Sequence, residues 1–503
     1  MRKISHWALL MVSTVLFVVV VRGLWREPKP EPTFQNQPVS VWVEAYDPFM
    51  MSEEGLAKLQ GEMREIGTNA LPTLMKMMQR KESPTKRWLY EYACAHGLHF
   101  LQDKLSDFPE RARHIDEARS CAAAAFEALG TNANSVIPDL ARLLDDEELT
   151  RNVAHALAAI GPDALPILLK GMAGKDPEIR VSIAYALSLR ASQAEVVVPV
   201  LVKALTNDPD ASVRRAAAQS LGEIHQYPGL AVPPLIEALR DYSDPDIHYM
   251  AAEALGKFGN SAESAVPVLI AATKENLDYV RLYAVESLGS IKKSPQTVVP
   301  ALIQALDDPD LEVRRMAADA LGDFGDEAAS AVPRLIRALA DEDATVRRSA
   351  VGALGEIRTM ADQTIPVLIE RLKDPDETVR YWTELALGQF DQEPEIVVPA
   401  LLNALRENDG LARRGAVQAL GNLRQSDKLI VPVLLKELDS TADYIRRDAA
   451  EALGEFGNRA KIAIPALNSH LRDPDEDVRL AASEALEKIG ADKAAPMPRL
   501  SAH

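Results

Sequence analysis

The stretch DPDLEVRRMAADALGDFGDEAASAVPRLIRAL, residues 308–339, decides the fold of this chain. Its two ends each place apolar side chains at the three- and four-residue spacing that puts them on one face of an α-helix. We therefore predict two short amphipathic helices joined by a turn. The predicted buried stripe is Val313, Ala317, Ala320, Leu321 and Phe324 in the helix over 308–325, and Val332, Leu335, Ile336 and Leu339 in the helix over 330–339.

The ends of these helices carry residues with strong positional preferences. Asp308 is expected to be the N-cap of the 308–325 helix, with Pro309 at the first helical position. Gly322 and Gly325 are expected to end that helix, because glycine tolerates the backbone conformation of a helix terminus. Pro333 falls in the first turn of the 330–339 helix, where the missing N–H is tolerated.

The same two-helix pattern recurs every 33 or 34 residues, and we call the proline-bearing helix the first helix of a repeat and the arginine-bearing helix the second helix. The first-helix prolines are Pro199, Pro233, Pro267, Pro300, Pro333, Pro366, Pro399, Pro432, Pro465 and Pro498. The Leu-Gly pairs begin at Leu221, Leu255, Leu288, Leu321, Leu354, Leu387, Leu420 and Leu453. The second-helix arginines are Arg180, Arg214, Arg281, Arg314, Arg347, Arg380, Arg413, Arg446 and Arg479. Three registers in phase predict an all-α solenoid, a right-handed superhelix, in which stacking buries each apolar stripe.

The repeats continue toward the N-terminus in degenerate form. Pro72 lies two periods before Pro138, and Leu105 stands where a proline is missing, although Arg119 keeps its register. Counting from Pro38 gives about 14 two-helix units, the first of which begins with a degenerate first helix at Val41-Trp42-Val43. The predicted segments are 1–25, a membrane segment; 26–37, a Pro-rich linker; 38–137, degenerate repeats; 138–490, regular repeats; and 491–503, a tail. No β-sheet is expected over residues 38–490.

The N-terminal segment is the part of the chain expected to meet a membrane. Arg2 and Lys3 precede an uncharged run from Ile4 to Val21, which is close to spanning length if its flanks are included. No Ala-x-Ala site follows the run, so an uncleaved anchor is favoured over a cleaved signal peptide. Two fixed charges at the extreme N-terminus favour an orientation that places the solenoid on the exported side, periplasmic or extracytoplasmic in a bacterium.

The net charge and the cysteines of the chain argue against two kinds of ligand, nucleic acid and zinc. The net charge of −18 argues against a nucleic-acid-binding protein, which needs clustered Lys and Arg. Cys94 and Cys121 do not form a Cys-x-x-Cys pair, so no zinc site is expected; one disulfide between them and two separate buried thiols both remain open.

The repeat resembles HEAT repeats, in particular the subtype of phycobilisome-lyase-like HEAT proteins. The likeness rests on the first-helix prolines and on aspartates followed six residues later by arginine, as in Asp308 with Arg314; it covers about 38–490. It implies Asp–Arg ladders between repeats, with departures at His248, Glu275, Glu407 and Ser440. The membrane segment, the PVSVW entry at 38–42 and the repeats together also resemble envelope-associated HEAT proteins of bacteria.

The sequence offers no catalytic constellation. There is no His-Glu-x-x-His, P-loop, dinucleotide fingerprint or Gly-x-Ser-x-Gly, and none of the nine histidines precedes Glu. His96 and His99 share a helix face, but two such histidines are more often structural than metal ligands. We therefore predict no catalytic, cofactor-binding or metal-binding residues, and no cofactor.

The predicted partner site lies on the second helices, which line the concave face in HEAT arrays. In five adjacent second helices, the two positions after the ladder arginine collect Tyr, Met, Arg and Trp, which are enriched at interface hot spots. The alternative is that these side chains fill the core between repeats. The predicted partner-binding residues are Tyr249, Met250, Leu282, Tyr283, Arg315, Met316, Arg348, Tyr381 and Trp382.

Three functions fit these observations. The first is a non-enzymatic, membrane-anchored scaffold that binds a protein partner on its concave face. The second, from the resemblance, is a factor like the phycobilin or tetrapyrrole lyases, or a chaperone-like factor. The third is a structural spacer.

Overall fold

The computed structural model describes residues 32–34, 37–44, 53–81, 108–241, 244–407, 410–424 and 426–490, and helices are numbered within these residues. The elements up to residue 207 are β1 Thr33–Phe34, β2 Gln37–Pro38, α1 Val39–Glu44, α2 Glu53–Ile66, α3 Leu71–Met78, α4 Phe108–Leu129, α5 Ile137–Leu143, α6 Thr150–Ile160, α7 Leu165–Gly171, α8 Pro177–Leu187 and α9 Ala194–Asn207. They are followed by α10 Ala211–Ile224, α11 Pro228–Arg240, α12 Pro245–Lys257, α13 Val266–Ala272, α14 Asp278–Ile291, α15 Pro295–Ala305, α16 Leu311–Asp323, α17 Val332–Ala338 and α18 Ala344–Ile357. The remaining helices are α19 Ala361–Arg371, α20 Glu377–Leu387, α21 Pro394–Glu407, α22 Gly410–Asn422, α23 Asp427–Glu437, α24 Asp443–Glu455, α25 Ile464–His470 and α26 Glu476–Ile489.

The chain divides into two compact units, Met1–Ala204 and Leu205–His503. In the first unit, α4 packs against α2 and α3 on one side and α6 on the other, and α6 packs against α8. Arg119 of α4 occupies its predicted register: it donates to the carboxylate of Glu148 at 2.8 Å and to the carbonyl of Arg80. The degenerate first helix at 41–43 is confirmed as α1, whereas residues 82–107, assigned to one of the fourteen repeats, lie outside the described residues.

The second unit is a regular stack. Its second helices α10, α12, α14, α16, α18, α20, α22, α24 and α26 each pack against the next in the series, and each first helix from α11 to α25 packs against its own second helix. The five residues of the predicted stripe in α16 are all buried, as are Val332, Leu335 and Leu339. The prediction of an all-α solenoid is confirmed, with repeated helices burying a continuous apolar core.

One strand pair departs from the expectation of no β-sheet. Residues Thr33 and Phe34 pair with Pro38 and Gln37 in a two-residue antiparallel ladder at the edge of the predicted linker. Pro38 was assigned to the first repeat, and it ends this hairpin immediately before α1. A proline has no backbone N–H, so it is suited to the end of a strand where no further ladder bond forms.

The Asp–Arg ladder of the second unit is present. The Nε and Nη2 atoms of Arg314 donate to Asp341 at 2.8 and 3.0 Å, and the Nη1 atom donates to the carbonyl of Asp308 at 3.0 Å. Each carboxylate therefore joins two repeats, because the arginine of one repeat holds the aspartate of the next. The same bidentate contact joins Arg281 to Asp308, Arg347 to Asp374 and Arg446 to Asp473.

Two predicted departures from the ladder have different outcomes. Where Ser440 replaces aspartate, Arg413 pairs instead with Glu437, a buried carboxylate three residues earlier, with both contacts at 3.0 Å. Where Glu407 replaces aspartate, it accepts from Asn403, and the buried Nε of Arg380 has no hydrogen-bond partner among the described residues.

The predicted N-cap at Asp308 is wrong. Helix α16 begins at Leu311, and its N-cap is Asp310, whose side chain accepts from the backbone N–H groups of Glu312 and Val313. Asp308 instead receives Arg281 and the N–H of Asp310. The Asp-Pro-Asp sequence offers two carboxylates, and the ladder uses the first of them.

The prediction that Gly322 ends its helix is also wrong. Gly322 lies within α16, and a Cβ placed there would stand 3.0 Å from the Cα of Ala353 in the next second helix. Gly325, with φ of +53°, is the residue that takes the left-handed conformation after the helix. The glycines of the other Leu-Gly pairs in the second unit make the same close approach, so this register marks contact between helices: Gly222, Gly256, Gly289, Gly355, Gly388, Gly421 and Gly454.

The predicted membrane segment at 1–25 lies outside the described residues. Within them, one helical stretch, Pro177–Asn207, is long and apolar enough to cross a membrane by length and composition alone. It consists of α8, a 3₁₀ segment and α9, with a non-helical backbone at Arg190. Its buried residues, such as Val197, Val198 and Leu201, belong to the repeat core.

Candidate functional site

The predicted partner-binding residues lie in the second turns of second helices and remain partly accessible. Trp382 is 41% exposed, and the others are half-buried rather than enclosed in the core. Their neighbours in the sequence, such as Ala251 and Ala284, supply the fully buried positions. We call the face formed by the exposed sides of α12, α14, α16, α18 and α20 the second-helix face.

Three tyrosines form one cluster on this face. The rings of Tyr249 on α12 and Tyr283 on α14 stack with centroids 5.5 Å apart, and Tyr279 meets Tyr249 edge-on at 5.4 Å. Sequence reasoning missed Tyr279, which lies two residues before the ladder arginine, in a register that is otherwise mostly polar. An aromatic residue in a polar register was the signal that could have found it.

A second aromatic pair lies three repeats further along. Tyr381 and Trp382 of α20 meet edge-on, with centroids 5.9 Å apart, and the Tyr381 hydroxyl donates to Gln418 at 3.1 Å. Trp382 also lines an open pocket of about 380 Å³ between α18 and α20. The other lining residues are Gly352, Gly355, Glu356, Arg358, Leu385, Ala386 and Gln389.

The remaining predicted residues lie between these two aromatic groups. Arg315 is held by its own helix, with contacts of 2.8 Å to Glu312 and 3.1 Å to Asp319. Arg348, Leu282, Met250 and Met316 are half-buried and present flexible or apolar surface. The nine residues thus lie on five successive second helices. Their rings contact one another only within each of the two aromatic groups.

Acidic side chains also line this face: Glu253 on α12, Glu286 on α14, Asp319 on α16 and Glu356 on α18. Burial and the neighbouring carboxylate of Glu253 raise the pKa of Glu286. Burial, with the carboxylates of Asp323 and Asp319, raises the pKa of Glu356. A raised carboxyl pKa means that the ionised form is less favourable at that position than in water, here first because of burial and then because of the neighbouring carboxylates.

No group of three or more His, Cys, Asp or Glu side chains able to hold a metal ion occurs among the described residues. Cys121 is a buried thiol, while Cys94, His96 and His99 lie outside the described residues. His248, in an arginine register, is buried with its Nε2 against the carbonyl of Asp241.

These features define the class of protein: an α-solenoid whose second-helix face carries accessible aromatic and acidic side chains. The family description "HEAT repeats" matches residues 198–289, 266–332, 299–388, 365–430 and 431–497, which is more than half of the chain. The chain therefore belongs to the HEAT-repeat family. The finer likeness to phycobilisome-lyase-like members receives no separate support. No curated protein sequence matches the chain significantly.

Similar solved structures agree with this fold. Kap95p, in a structure with RanGDP, is 14% identical, with 90% of this chain and 66% of that chain covered and a TM-score of 0.55. Importin beta is 16% identical, with the same coverage and a TM-score of 0.51. An engineered protein is 25% identical over 70% of this chain and 98% of its own, with a TM-score of 0.41. At the identities of Kap95p and importin beta, the likeness concerns the fold alone.

Proposed function

We propose that this protein is a non-enzymatic scaffold that binds a protein partner on the second-helix face of its second unit, the concave face in HEAT arrays. The observation that supports the proposal most directly is the pair of partly exposed aromatic groups, Tyr249–Tyr279–Tyr283 and Tyr381–Trp382. Accessible Tyr and Trp on adjacent rigid helices offer large contact areas at a low cost in side-chain entropy. The complex that Kap95p, a solenoid of similar fold, forms with RanGDP is consistent with a protein as the partner.

The spacing of the two aromatic groups indicates the size of the partner segment. Tyr283 and Trp382 occupy the same register three repeats apart, and adjacent packed helices are about 8–10 Å apart, so the groups are separated by roughly 25–30 Å. An extended chain advances about 3.3 Å per residue, so a segment of roughly eight or nine residues would contact both. We therefore expect an extended segment of this length to be the main contact.

Paired measurements of stability and binding test the proposal. Truncating Tyr283 or Trp382 to alanine should lower partner affinity by about 2 kcal/mol, as for a hot-spot aromatic, with little change in the melting temperature. Tyr444→Ala is the matched control, because Tyr444 shares the register of Tyr279 but lies on α24, outside the defined face, and is 37% exposed. A large fall in melting temperature with retained binding would show instead that the stripe is packing.

We also propose that the solenoid is tethered to a membrane on the exported side. The support is the sequence of residues 4–21, uncharged and preceded by Arg2 and Lys3. Fractionation of cells that express the full-length chain should recover it with membranes, and protease added outside the membrane should digest the repeats. Recovery of the full-length chain in the cytosol would refute this; a shortened soluble exported form would indicate a cleaved signal peptide.

A further inference from the structure

Gly352 is a glycine that helix packing does not require. It lies in the interior of α18, where glycine is unfavourable, yet a Cβ built on it would meet nothing within 4 Å. Gly355, one turn later, is different, because its Cβ would stand 2.9 Å from the Cβ of Ala386. The Leu-Gly register is thus explained by close contact between helices, whereas Gly352 is not.

The register of Gly352 shows what its missing side chain creates. The equivalent positions in the other repeats of the second unit all carry longer side chains: Gln219, Glu253, Glu286, Asp319, Leu385, Gln418, Glu451 and Glu484. Gly352 is the one glycine in this register of the second unit, and it lies beside Trp382. Together the two residues leave the pocket of about 380 Å³ between α18 and α20. The pocket is therefore a product of two residue choices, glycine at 352 and tryptophan at 382.

We propose that this pocket accepts one lysine or arginine side chain of the partner segment, an inference that rests on the proposed protein-binding function. The aliphatic stem would lie over Gly352 and Leu385, with Trp382 beside it. The cationic end would reach Glu356, the only carboxylate among the lining residues. An amphipathic side chain of this kind matches a pocket with an apolar floor and a charged rim.

Charge favours a cation over a neutral side chain. Burial raises the pKa of the Glu356 carboxyl, and the nearby carboxylates of Asp323 and Asp319 raise it further. Lys292 opposes this rise in pKa only in part. Lys292 is itself engaged by Asp323 at 2.9 Å. Arg358 stands at the opposite rim, at the C-cap of α18, and would repel a cation placed near it. The proposed cation therefore belongs on the Glu356 side of the pocket.

Selection from a library of phage-displayed random 12-residue peptides tests this inference on the purified full-length chain. We compare the wild type with Gly352→Leu, which fills the pocket. Gly229→Leu is the matched control, because a Cβ at Gly229 on the first helix α11 also meets nothing within 4 Å. Selected peptides are then measured by fluorescence polarisation against these variants, Glu356→Gln and Tyr283→Ala.

We expect wild-type selections to enrich Lys or Arg at one fixed position of the peptide. Replacing that residue by norleucine, or introducing Gly352→Leu, should weaken binding about tenfold or more, while Gly229→Leu should not. Glu356→Gln should reduce the advantage of Lys over norleucine. Enrichment of an apolar anchor would overturn the cationic assignment. Absence of any enriched peptide whose binding depends on residue 352 would overturn the pocket itself. Peptides that depend on Tyr283 but not on Gly352 would leave the proposed function standing and refute only this inference.

Discussion

Two glycines one turn apart on α18 give opposite predictions for the same substitution. Replacing either glycine by alanine improves helix propensity by about 1 kcal/mol. At Gly352 the new methyl group enters open space, so we expect Gly352→Ala to stabilise the second unit by roughly 0.5–1 kcal/mol. At Gly355 the methyl group would lie 2.9 Å from the Cβ and 3.0 Å from the Cα of Ala386, so α20 must move away.

Comparison of Gly352→Ala with Gly355→Ala isolates the free-energy cost of moving α20 away from α18. The propensity gain is common to both variants and cancels in their difference, which leaves the overpacking penalty of about 1–3 kcal/mol. Hydrogen exchange of the amides of α18 and α20 is the appropriate assay, because local opening in a repeat array need not follow a two-state transition. Equal protection in the two variants, or a loss of protection in Gly352→Ala, would refute the close-contact account of the Leu-Gly register.

Two further predictions follow from the ladder. Arg347→Met should destabilise the second unit by about 3 kcal/mol in urea unfolding, because it removes the bidentate contact to the fully buried Asp374 and leaves that carboxylate with the more distant Arg371 at 3.6 Å, whereas Arg380→Met, which removes no described carboxylate contact, should cost at least 1 kcal/mol less; equal costs would contradict the ladder. Hydrogen bonds from Arg446 hold the pKa of Asp473 well below its usual range, so this pair stabilises the fold above the unfolded pKa of about 3.9 and the contribution is lost as the pH falls below it; Asp473→Asn should make stability less dependent on pH there, and an unchanged acid limb would contradict the assignment.

The sequence predicted the repeat because period and apolar spacing are properties that stacking imposes on every unit. It also predicted the ladder, since the resemblance implied Asp–Arg contacts between repeats, whereas the particular pair of Arg314 with Asp341 comes from the structure. It assigned Asp308 and Gly322 wrongly because each residue type serves two purposes. Aspartate both caps helices and accepts arginine, and glycine both ends helices and permits close contact. Only the three-dimensional arrangement decides between them.

The candidate surface was predictable in part. The aromatic columns followed from the register, but the accessibility of Trp382 and the ring contacts of Tyr279 depend on how neighbouring helices are set against one another. The pocket at Gly352 exists because glycine has no side chain. A search of the sequence for residue types that form interfaces, such as Tyr, Trp, Met and Arg, does not find such a position. Its signal was a single glycine in a register of longer side chains.

Site-specific photo-crosslinking in intact cells tests the central claim most directly. Benzoylphenylalanine is placed singly at Leu282, Arg348 and Trp382 on the second-helix face, and at Leu429 and Ile462 on first-helix segments, which are 58% and 69% exposed. The account predicts that one and the same protein is crosslinked from the three second-helix positions and not from the other two. Crosslinks to that protein from Leu429 and Ile462 alone, or equally from all five positions, would contradict it.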